Sequence, residues 1–91
     1  MEKINIDKNT YEIIKNYRNG FVKEDFINLC TDYFYDYDYI VGDWAYGKLR
    51  LKGFYDKSNK KCKELNNFDN VDAYIKNNCA FDCKYFIAKR I

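Results

Sequence analysis

The stretch Gly42-Asp43-Trp44-Ala45-Tyr46-Gly47-Lys48-Leu49-Arg50-Leu51-Lys52-Gly53-Phe54-Tyr55 decides how this 91-residue chain folds. From Lys48 to Lys52, charged and apolar residues alternate strictly, the pattern of a strand with one face in water and one on a core. Leu49 and Leu51 point inward; Lys48, Arg50 and Lys52 point outward. Ala45-Tyr46-Gly47 is a turn candidate because glycine accepts positive φ. Gly53 lets the backbone bend or bulge at the strand's end. Before the turn, Tyr39-Ile40-Val41 reads as a short buried strand, with Gly42 and Asp43 as turn residues after it. Asp43 fits a residue bonding its own backbone, and equally a buried acid or a partner for Arg50.

If the hairpin keeps a single register, the even positions Trp44, Tyr46, Lys48, Arg50 and Lys52 share one face. Cations neutralise phosphates, and ring faces stack on unpaired bases. These five residues are therefore a candidate nucleic-acid-binding platform. The same alternation also describes the solvated side of any half-buried strand, where lysines guard an edge against aggregation.

Outward from this hairpin, the chain supplies the rest of a sheet and two helices. Lys3 to Ile6 and Tyr11 to Tyr17 read as a first hairpin around Asp7-Lys8-Asn9. Asn19-Gly20 is a turn signal. From Val22 the period becomes helical: Phe26, Ile27, Cys30, Phe34 and Tyr37 fall on one face, with Glu24 and Asp25 in the first turn. That helix is expected to reach about Tyr35. Asp56 to Asn67 is a lysine-rich loop. Asp69 or Asn70 caps a second helix carrying Val71, Ile75 and Cys79. Tyr85 to Ala88 forms the last strand. The expected fold is α+β: a single small domain over residues 1–91, order ββαββαβ, with a mostly antiparallel sheet packed against two helices.

Composition narrows the chemistry. Apolar residues are 47% and aromatics 20%, which excludes a disordered chain. No stretch is long and apolar enough for a membrane span. The N-terminus has no apolar h-region, so a cytoplasmic location is expected. There is no histidine, which removes the commonest general base and the commonest zinc ligand; no catalytic pair stands out, and no cofactor is implied. The net charge of +2 hides an asymmetry: residues 1–45 carry five basic and nine acidic side chains, residues 46–91 eleven and five. A basic half suits an anionic partner, unless folding mixes the halves. The tyrosine run 33–39 would make a protein-binding surface if exposed.

Cys30, Cys62, Cys79 and Cys83 are expected to be reduced. Cys79 and Cys83, spaced C-x-x-x-C, are weak metal candidates, since zinc knuckles favour C-x-x-C. Redox pairing of the two is a further alternative, and packed core thiols suit the spacing best.

Two blocks carry a resemblance. Tyr39–Tyr55, "YIVGDWAYGKLRLKGFY", and Cys79–Arg90, "CAFDCKYFIAKR", together with "YRNGF" at Tyr17–Phe21, resemble the YutD-like family of small proteins from Gram-positive bacteria. Ala45 and Asp82 stand where that family usually has glycine, and Lys48 adds a charge. The resemblance implies an α+β cytoplasmic domain and supplies no catalytic residues. The functional expectation is a non-enzymatic binding module, for RNA or another nucleic acid through the aromatic and basic face. The alternatives are a protein-interaction or regulatory adaptor and, behind it, a cysteine metal site.

Overall fold

The computed structural model describes residues 2–78 and 83–91. Tyr46 and Gly47, at φ 55° and 74°, close a two-residue turn. Two successive left-handed residues match the twist of the flanking strands, which is why such turns close tight hairpins. They join β3 (Tyr39–Ala45) to β4 (Lys48–Phe54). β3 is longer than the three-residue strand expected, because Gly42, Asp43, Trp44 and Ala45 continue the ladder. The left-handed positions are Tyr46 and Gly47, so Ala45 carries no positive φ.

The remaining elements are β1 (Lys3–Ile6), β2 (Asn9–Tyr17), α1 (Lys23–Leu29), α2 (Val71–Asn78) and β5 (Tyr85–Arg90). The order ββαββαβ is as expected, and every pairing in the sheet β1-β2-β5-β3-β4 is antiparallel. The structure differs from expectation at two joints. α1 stops at Leu29 rather than near Tyr35, and a 3₁₀ turn at Asp32–Phe34 follows. In the Tyr33–Tyr39 run, period-2 and period-3.6 spacings compete, and tertiary packing resolves them into a turn and then a strand. The turn after β2 places its positive φ values on Arg18 and Asn19. Gly20 serves close approach instead: a Cβ there would lie 2.5 Å from the Tyr85 backbone nitrogen.

Both faces of the sheet are covered. Ile4, Ile6, Tyr11, Ile13, Ile40, Phe86 and Ala88 pack with Phe26 and Cys30 on the α1 side. Val41, Phe54, Tyr85 and Ile87 pack with Val71 on the α2 side, joined by Phe68, Tyr74 and Ile75. Central β5 is buried from Tyr85 to Ala88, as expected of a strand between two layers. Phe26 is fully buried and meets Tyr11, Phe21 and Phe86 edge-on, the arrangement aromatic quadrupoles favour. Ile27, expected on the core face of α1, is exposed, while Phe26 and Cys30 fill that face.

Candidate functional site

The β3–β4 hairpin divides the five residues expected to form one platform. In an antiparallel ladder, directly opposed residues share a face. Ala45 opposes Lys48, Asp43 opposes Arg50 and Val41 opposes Lys52. Trp44 opposes Leu49, and Gly42 opposes Leu51. Lys48, Arg50 and Lys52 therefore lie together on the α2 side, whereas Trp44 lies with the two leucines on the α1 side. Tyr46 sits in the turn, fully exposed. The shared platform is corrected on this point: a two-residue turn puts four steps between Trp44 and Lys48, but its left-handed backbone interrupts the alternation that parity counting assumes.

Trp44 is held by its own hydrogen bond. Its indole Nε1 donates to the Gly20 carbonyl at 2.7 Å, and the Lys84 ammonium stands 4.5 Å from its ring centre. Beside it, a groove of about 360 Å³ runs between α1 and the hairpin, lined by Asp25, Asn28, Leu29, Trp44, Gly47, Lys48 and Leu49. Leu29 is 42% exposed there.

On the opposite face the cations are unequal. Arg50 donates to the Asp43 carboxylate at 2.5 Å and to the carbonyl of Asn78, the last residue of α2, at 3.0 Å. Among the described residues, Asp43 is the buried charged one, 2% exposed. This settles its role as the partner of Arg50, whose already high pKa the carboxylate raises further. Lys52 lies over the rings of Phe54 and Tyr74, at 5.2 and 5.8 Å. Burial pushes the Tyr74 hydroxyl's pKa up. Lys48 is exposed.

The outer side of β4 continues into a second recess of about 330 Å³, lined by Tyr33, Phe34, Tyr37, Arg50, Leu51, Lys52, Gly53 and Tyr74. Tyr37 covers Gly53 so closely that a Cβ there would lie 2.3 Å from the ring. The Tyr37 hydroxyl is pushed up to about 12, first by its hydrogen bond with Tyr33 and then by burial. Tyr33 is 68% exposed. Sequence reading flagged this tyrosine run but had no means of placing it beside β4.

Among the described residues, no group of three or more Cys, Asp or Glu side chains is placed to hold a metal. Cys30 is buried and free, and Cys62 is half-buried and free. Cys83 is disulfide-bonded, which corrects its expected state as a reduced, packed thiol. The spacing of cysteines in a sequence carries no distances. Cys79, the other weak metal candidate, lies outside the described residues. Among the described residues, no helix is long and apolar enough to cross a membrane.

Comparison with known proteins fits this architecture. The family model "Putative antitoxin YutD-like" matches residues 5–89. The chain is 46% identical over 81 residues to the "Putative antitoxin YutD" of Bacillus subtilis (strain 168), covering 89% of each protein. The solution NMR structure of protein yutD from B. subtilis superposes with a TM-score of 0.83 at 43% identity, across 100% of this chain and 83% of that one.

Proposed function

The chain belongs to the YutD-like family, and from that premise we propose that it is a non-enzymatic protein-binding module of antitoxin type, which silences a toxic protein by occupying its surface. One observation carries the reading: apolar groups stand clear of the core around the β3–β4 hairpin, with Leu29 of α1 at 42%, Tyr33 of the 3₁₀ turn at 68% and Tyr46 of the hairpin turn at 103% exposure. Tyrosine and leucine presented beside an open groove are the usual anchors of a protein interface. The description of the B. subtilis relative as an antitoxin supports a protein partner.

The nucleic-acid reading has less support. Stacking needs rings and cations on one surface, and here Trp44 lies on the opposite face of the sheet from Arg50 and Lys52. Arg50 is engaged by Asp43 and Asn78, and Lys52 lies over two rings.

The test is a purification followed by a titration. Tagged protein is used to capture partners from a Gram-positive host, and each captured protein is purified and tested for growth inhibition. The expected result is a stoichiometric complex in which that inhibition disappears. Leu29→Glu should weaken the complex by about tenfold or more, since a buried leucine contributes ~1.5–3 kcal/mol. Salt-dependent binding to homopolymeric RNA, with no growth-inhibiting protein captured, would overturn the proposal.

A further inference from the structure

Resting on the protein-binding reading, we propose that the outer edge of β4 receives an extended segment of the partner as a sixth strand, and that this segment alternates acidic and apolar side chains. Among the described residues, β4 is the last strand of the sheet, with β3 as its neighbour. The Phe54 carbonyl accepts from the Asp38 N–H on the inner side. At Tyr55 the backbone instead bonds outward, its N–H to the Asn66 carbonyl and its carbonyl to the Phe68 N–H. Backbone groups alternate sides along an antiparallel strand, so the amides and carbonyls of Leu49, Leu51 and Gly53 point outward with that of Tyr55. The protein already pairs this edge at Tyr55, through a parallel bridge to Asn67; among the described residues, no strand pairs with the outer side of the seven residues of β4 before it.

The chemistry on either side of that edge specifies the guest. On the α1 side an incoming strand would run past half-buried Leu49 and Leu51, with Leu29 and Tyr33 as walls. On the α2 side it would meet exposed Lys48 and half-buried Lys52, Arg50 being held by Asp43 and Asn78. Strand addition takes its affinity from the main chain and its selectivity from alternate side chains. A guest with apolar residues on one face and carboxylates on the other satisfies both walls. The same cations disfavour a second copy of β4, because antiparallel self-pairing would bring Lys48, Arg50 and Lys52 against their own kind.

The test uses blocked synthetic peptides of alternating Glu and Val, or of alternating Lys and Val, titrated into the isotope-labelled full chain and followed by NMR. The Glu peptide should shift the Leu49, Leu51 and Gly53 amides and slow their hydrogen exchange; the Lys peptide should bind at least about tenfold more weakly. Lys48→Glu combined with Lys52→Glu should invert that preference, and Lys48→Glu alone, at an exposed residue, should reduce it. Leu49→Pro removes an outward N–H and should abolish protection at the edge while leaving the β3–β4 ladder in place. Equal binding of both peptides, protection confined to α1, or protection of the edge by self-association without peptide would each overturn the assignment. If a toxin complex forms with the edge amides unprotected, the edge proposal fails and the protein-binding reading stands. Peptide binding at the edge without any silenced partner has the reverse meaning.

Discussion

Removing the guanidinium from Arg50 should destabilise the protein more than its half-exposed position suggests. The Arg50 side chain is 49% exposed, but its partner Asp43 is only 3% exposed, at 2.5 Å. Arg50→Ala therefore leaves a buried carboxylate without its cation, and releases the carbonyl of Asn78 at the end of α2. Breaking a fully buried pair costs ~3–5 kcal/mol. Hydrogen bonds to charged groups contribute ~1.5–3 kcal/mol, and solvent around Arg50 puts the value toward the low end, about 2 kcal/mol. For a domain of this size that lowers the melting temperature by roughly 8–16 °C. Asp43→Asn leaves a neutral group where the charge was, so it should cost about 1 kcal/mol alone and recover roughly half of the loss when combined with Arg50→Ala. Calorimetric or denaturant unfolding of the wild type, both single variants and the double variant closes the cycle. If Asp43→Asn recovers nothing, or Arg50→Ala costs less than about 0.5 kcal/mol, Arg50 is an ordinary surface charge and the reasoning is wrong.

The two other expectations concern packing and pH. Gly42→Ala would drive a Cβ to 2.3 Å from the ring of fully buried Phe86, and should cost ~1–3 kcal/mol in urea unfolding by overpacking; an unchanged midpoint would show that Phe86 moves freely. Burial pushes the Tyr11 hydroxyl up to about 12 from an ordinary 10.0. Its neutral form is thus favoured in the folded state, and the stability it contributes is intact below pH 10 and lost as pH rises toward 12. The Tyr37 hydroxyl is pushed up to about 12 as well, so phenolate absorbance should show late-titrating tyrosines of which Tyr11→Phe removes one.

The local grammar of the chain was enough for its elements. Alternation through Lys48–Lys52, turn residues at Tyr46-Gly47 and 3.6-residue spacing around Phe26 depend on neighbours in sequence, and the ββαββαβ order followed from them. Leu49 and Leu51 were rightly placed against the core, since a pleated strand leaves a period-2 residue no other choice. The C-terminal end of α1 was harder, because tyrosines spaced for both helix and strand leave the decision to packing around Phe34 and Tyr37.

The candidate site depended on tertiary structure at each step. Which face Trp44 joins follows from the two left-handed residues between the strands, a backbone choice that side-chain parity does not encode. The pairing of Asp43 with Arg50 is a consequence of that register. That a second helix would cover the cationic face, drawing Arg50 to Asn78 and Lys52 beneath Tyr74, depends on contacts more than twenty residues apart in the chain. Period and turn chemistry are properties of short segments, whereas the burial of a charge and the freedom of a strand edge are set by which distant segments arrive beside it.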